Sequence, residues 1–115
     1  MDIEDIRIMC TSLPGVTEDI KWGNDLVFSV GGKMFCVAGL EQPLSFSFKV
    51  PDEDFEEISS RQGFKPAPYL ARAKWVLATE PSRLHTKEWK QFIKTSYELV
   101  KNKLTKKTRT ELKID

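Results

Sequence analysis

Leu26-Val27-Phe28-Ser29-Val30-Gly31-Gly32-Lys33-Met34-Phe35-Cys36-Val37-Ala38 is the stretch that decides the fold. Two runs rich in β-branched and aromatic residues flank a pair of glycines. Glycine supplies the positive φ angles of a tight two-residue turn, so the stretch predicts a β-hairpin. Counting outward from Gly31-Gly32 sets Phe28 opposite Phe35 and Leu26 opposite Val37. Val27, Ser29, Met34 and Cys36 then share the other face.

Downstream, Glu41-Gln42-Pro43 turns the chain, and Leu44 to Val50 alternates cleanly. Leu44, Phe46, Phe48 and Val50 are expected to face a core, with Ser45, Ser47 and Lys49 pointing away. Upstream, Asp2 to Leu13 has Ile3, Ile6, Met9, Cys10 and Leu13 on one helical face, with Asp2 placed to cap it and Pro14-Gly15 to end it. Thr17 to Gly23 reads either as an approach segment or as a short edge strand. Pro51 and the acidic Asp52-Glu53-Asp54 open a second helix with Phe55 and Ile58 turned inward, stopped at Gly63. Lys74 to Thr79 reads as a strand. Thr86 to Leu104 is the longest helix, with an apolar stripe that includes Trp89, Phe92, Ile93 and Val100 opposite Lys87, Lys90, Lys94 and Lys101. Thr105 to Asp115 is polar and basic and is expected to be a loose tail. The order α-β-β-β-α-β-α predicts an α+β, two-layer domain over residues 1–104, an antiparallel sheet packed on one face by helices and rather open on the other.

The 115 residues suffice for one hydrophobic core, and 40% hydrophobic with 30% charged residues excludes the disordered class. No apolar run is long enough to span a bilayer, so no membrane partner is expected. The start Met1-Asp2-Ile3-Glu4-Asp5 is unlike a signal peptide. With only two cysteines, Cys10 and Cys36, both read as buried free thiols, the expectation is a cytoplasmic protein. The net charge of +1 hides a division: residues 1–60 hold four Lys/Arg against twelve Asp/Glu, net −8, and residues 61–115 hold fourteen against five, net +9.

Gly63 to Val76 contains Pro66 and Pro68, which stiffen the backbone, beside Tyr69, Trp75 and the cations Lys65, Arg72 and Lys74. A stiff loop that mixes aromatics with cations suits a binding surface; alternatively Tyr69 and Trp75 anchor the connection onto the core. Catalytic signatures are missing: Gly31-Gly32 lacks the phosphate-loop lysine pattern, there is no nucleophile elbow, and the lone His85 has no ligand-spaced partners. No enzyme activity, cofactor or metal is expected. What remains is a set of cations, Lys33, Lys49, Arg61, Lys65, Arg72 and Lys74, that could reach phosphates. The alternative is a protein- or peptide-interaction surface around Met34, Tyr69 and Leu70.

Taken together, Leu13-Pro14-Gly15-Val16, Lys21-Trp22-Gly23, Phe28 to Phe35, Phe48-Lys49-Val50, Pro66 to Leu70 with Trp75-Val76, and Ser96 to Val100 resemble the MmcQ/YjbR family of small bacterial proteins. The blocks lie in family order within residues 1–104. The resemblance implies a two-layer α+β domain like the secretion-chaperone class, often compared with frataxin-like sheets, and a proposed double-wing mode of DNA binding. Carried onto this chain, the wings are the hairpin with Lys33 and the segment with Tyr69, Arg72 and Lys74. Few cations sit on the first wing, where Asp25 and Glu41 are close. The matched Trp22, Gly23, Phe35 and Trp75 serve equally well as structure, glycine in the turn and aromatics in the core.

Overall fold

The computed structural model describes residues 2–114; Met1 and Asp115, the outer limits of the predicted domain and tail, lie outside the described residues. In chain order the elements are α1 (Ile3–Thr11), β1 (Val16–Lys21), β2 (Asp25–Val30), β3 (Lys33–Gly39), β4 (Ser45–Lys49), α2 (Phe55–Ser59), β5 (Phe64–Pro66), β6 (Trp75–Ala78), α3 (Thr86–Lys101) and α4 (Lys106–Leu112). The strands form one antiparallel sheet in the order β1-β2-β3-β4-β6-β5. The architecture is α+β.

Asp2 starts α1 as the sequence predicts: its carboxylate accepts from the Asp5 backbone N–H, and the Asp5 carboxylate accepts from the Asp2 N–H. Ile6 and Cys10 from α1 and Trp89, Ile93 and Tyr97 from α3 pack on Phe28, Cys36, Phe46 and Phe48 of the sheet. Trp89 meets Phe46 edge-on at 5.3 Å and Phe48 at 5.7 Å, and its indole N–H donates to the Pro81 carbonyl at 3.0 Å. The two cysteine thiols meet inside this core. A hydrogen bond with Cys36, then burial, push the Cys10 thiol far above the ordinary thiol range.

The predicted hairpin forms, but not in the counted register. Ser29 pairs with Met34 as expected, yet Phe28 pairs with Cys36, Val27 with Val37 and Leu26 with Ala38. Phe35 is the extra residue of a β-bulge. Consecutive residues Phe35 and Cys36 therefore both enter the helix-side core, at 0% exposure, and Val37 moves to the opposite face. The pattern of this run could not show the slip, because every residue from Met34 to Ala38 is apolar and either register buries an apolar set.

The bulge also disturbs the next pair of strands. The β3–β4 ladder stops at Cys36 opposite Phe48. At the following rung the buried Ser96 hydroxyl of α3 stands between the strands, accepting from the Lys49 N–H at 2.9 Å and donating to the Phe35 carbonyl at 2.6 Å. A serine in the apolar stripe of α3 is thus a prosthetic rung of the sheet.

Thr17 to Gly23 resolves in favour of the edge strand, as β1, and a short β5 forms the opposite edge. Two further expectations need correction. The sheet face away from the helices is not open throughout: Val27, Val37, Ala67 and Trp75 form a second buried cluster there, because the segment after β5 folds back across it. Nor is the segment after Leu104 loose over its described part. Thr105 caps α4 by accepting from the Thr108 N–H, Lys113 turns the backbone through φ 59°, and Ile114, 6% exposed, docks in the main core. Gly15 makes room for it, since a Cβ there would sit 3.0 Å from Ile114. With only Leu112 and Ile114 apolar, α4 shows no stripe in sequence.

Ser96→Ala removes the bridging hydroxyl and leaves a buried N–H and a buried carbonyl without their partner. The expected loss in unfolding free energy, measured by urea denaturation, is about 1–3 kcal/mol; an unchanged midpoint would show that the rung contributes nothing.

Candidate functional site

On the sheet face away from the helices, a cavity of ≈ 480 Å³ lies between two loops. One wall is the β1–β2 connection. Lys21 pairs with Asp25, so Trp22, Gly23 and Asn24 make a three-residue loop. The other wall is the loop leaving β5, with Ala67, Pro68, Tyr69 and Leu70. Met34, Val37 and Ser47 make the floor. The register slip at Phe35 is what brings Val37 to that floor.

Both walls carry an aromatic side chain on a strained backbone. Trp22 has φ 52° and Tyr69 φ 66°. Left-handed backbone is costly for a residue with a Cβ, on the order of 1–3 kcal/mol, and large aromatics adopt it seldom. Neither side chain offsets that cost by burial, since Trp22 is 68% exposed and Tyr69 fully exposed. Each is held by the closed loop beneath it. Leu70 N–H donates to the Ala67 carbonyl at 3.2 Å, Trp75 N–H to the Leu70 carbonyl at 3.2 Å, and Ala67 N–H to the Trp75 carbonyl at 3.0 Å. The Leu40 N–H reaches back to the Asn24 carbonyl at 3.0 Å and ties the other loop to the end of β3.

Of the residues singled out in the sequence, Met34, Tyr69 and Leu70 line this one cavity. Trp75 and Tyr69 divide the two readings of their loop: Trp75, 4% exposed, anchors the segment to the sheet, and Tyr69 stands clear of it. Trp22, for which a place in the core served equally well, is on the surface at the cavity rim. Its signal in the sequence was its position, a bulky aromatic in a Gly-Asn loop between two strands.

The cations do not behave as one set. Lys33, Lys65 and Arg72 are exposed. Lys49 does point away from the helices, but it is 7% exposed and its ammonium donates to the Ala73 carbonyl, because the returning loop covers it. Burial first, then the positive charge of Lys103, pull its pKa below the ordinary lysine value. Arg61 is paired with Glu88 at 2.8 Å and lies over the Phe64 ring at 5.5 Å. The Lys74 ammonium sits 5.1 Å from the centre of the Phe55 ring. Lys49, Arg61 and Lys74 are therefore engaged within the fold. Among the described residues, no group of three or more His, Cys, Asp or Glu could hold a metal ion, and no helix is long and apolar enough to cross a membrane.

The fold and the groove define a class, a two-layer α+β domain whose antiparallel sheet carries helices on one face and an aromatic-walled cleft on the other. The chain belongs to the YjbR family, whose sequence model matches residues 11–99. It is similar to a solved structure, Deinococcus radiodurans protein DR2400 with its domain DUF419, at 30% identity and TM-score 0.88, covering 98% of this chain and 88% of that one. A Pseudomonas syringae protein shares the fold at 17% identity and TM-score 0.73, over 87% of this chain and 99% of that one. Among curated protein sequences none matches.

If the left-handed aromatics are held against their preference, relaxing them stabilises the domain. Tyr69→Gly is expected to raise the unfolding free energy by roughly 0.5–1 kcal/mol, the relief of strain exceeding the entropy that glycine adds to the unfolded chain. A lower thermal midpoint for the variant would contradict this.

Proposed function

We propose that this domain is a non-enzymatic interaction module, and that the groove between Trp22 and Tyr69 seats an extended segment of a partner protein. The observation that carries the reading is the pair of exposed aromatics, each on strained backbone, that line one cavity with an apolar floor. Strain that persists without a packing benefit points to a role outside stability. Rigid aromatic side chains bury large area at low entropic cost, which is what an anchoring contact needs. The cavity lies between two loops, and Ser47 and Tyr69 among its lining residues carry hydroxyls for polar contacts.

The test is selection of a random peptide display library on the immobilised chain, with Trp22→Ala and Tyr69→Ala as comparators. Peptides are expected that bind the native chain and lose at least tenfold in affinity to either variant, while the variants keep native circular dichroism. A library that yields no groove-dependent binder removes the reading.

DNA contact through phosphates is the second reading, supported by the exposure of Lys33, Lys65 and Arg72. With three free cations the slope of log affinity against log salt is expected to be no steeper than about −3. The absence of binding at low ionic strength would dispose of it.

A further inference from the structure

We infer that the segment seated in the groove presents a positively charged side chain, lysine ammonium or arginine guanidinium, between the rings of Trp22 and Tyr69 and against the carboxylate of Asp25. The inference rests on the peptide-groove reading and adds the chemistry of the occupant.

Asp25 is the one charged residue lining the cavity. It is half-buried at the start of β2, beside Trp22. Four other acids are paired with cations of the chain, Glu18 with Arg7, Glu80 with Arg83, Glu88 with Arg61 and Glu98 with Lys101; what sets Asp25 apart is its place in the cavity lining. No donor among the described residues binds the Asp25 carboxylate. Lys21 is its cross-strand neighbour on β1, yet Lys21 is exposed and its ammonium does not reach ion-pair distance. A carboxylate at the rim of an apolar cleft is left to water until something covers it, and a covering group that brings no donor leaves it desolvated.

The surrounding side chains favour the same charge. The faces of Trp and Tyr rings carry negative electrostatic potential, and a cation within about 6 Å of either is attracted, more strongly as water leaves. Arginine stacks flat on such rings and offers a forked pair of donors to a carboxylate. The Met34 thioether and Val37 below suit the methylene stem of a lysine or arginine better than its head. An acidic occupant is repelled by Asp25, and a wholly apolar one strands it, so the same group selects for and against.

The experiment compares N-acetyl-arginine amide with N-acetyl-citrulline amide, its uncharged near-isostere, in NMR titrations of the 115-residue chain at low salt. The arginine compound is expected to shift the amides of Trp22, Asp25, Met34 and Leu70, with the citrulline compound at least tenfold weaker. Asp25→Asn is expected to narrow the difference and Trp22→Leu to weaken both, with the remaining resonances unmoved. Equal binding of the two compounds, no response to either, or an undiminished preference in Asp25→Asn overturns the inference. Groove-dependent library peptides that keep their affinity when each Lys and Arg becomes Gln overturn the cation assignment alone. A library without such peptides overturns the groove reading beneath it.

Discussion

The Phe35 bulge and the Ser96 hydroxyl that spans it are the constraint on which both faces of this molecule depend. One added residue in β3 turns two neighbouring side chains, Phe35 and Cys36, toward α1 and α3, where Phe35 meets Tyr97 edge-on at 5.5 Å. The same residue reverses the facing of everything that follows in the strand. Val37 leaves the core for the other side of the sheet and becomes the floor of the cleft. A sheet with a missing rung at its centre would be weak there, and α3 supplies the rung from its own apolar stripe. Core packing, register and the shape of the cleft are consequences of one local irregularity.

Much of the architecture was legible because its signals were local. Ser and Phe alternate through β4, so its two faces could be read residue by residue, and Asp2 announced the start of α1 three residues from its capping partner. The register of β3 was not legible, since Met34 to Ala38 is apolar at every position and a period cannot be counted where nothing alternates. β5 is three residues long, and α4 exposes all but its last apolar contacts. Lys49 shows the boundary well. Its alternation correctly turned it away from the helices, but whether that side met water depended on the distant loop between β5 and β6, which supplies the Ala73 carbonyl.

The site was legible in composition more than in geometry. Tyr69 and Leu70 stood out because prolines stiffened their loop, and Met34 because it fell opposite the core face. Their convergence with Trp22 required knowing that β2, β3 and β4 lie side by side between the two loops. Cations of the positive half are in part engaged within the fold, since Arg61 answers Glu88 and Lys74 rests on Phe55, and in the acidic half Lys49 is sealed in. Charge segregated along a chain says little about charge segregated in space when the two halves share one sheet. The likeness to DR2400 extends over nearly the whole chain, α4 included, which is a feature of the fold that a family match over residues 11–99 does not span.

The two margins of the sheet have a bearing on how the protein tolerates crowding. At one margin β1 offers a full strand of unpaired backbone, but Glu18, Asp19 and Lys21 stud it with charge. At the other, β5 is short and Pro66 withholds a donor. Two copies meeting edge to edge would have to desolvate a charged strand on the first margin and would lack bonds on the second. An uninterrupted cross-molecule ribbon, the first step toward fibrillar deposits, is thereby discouraged at both ends without help from the helices.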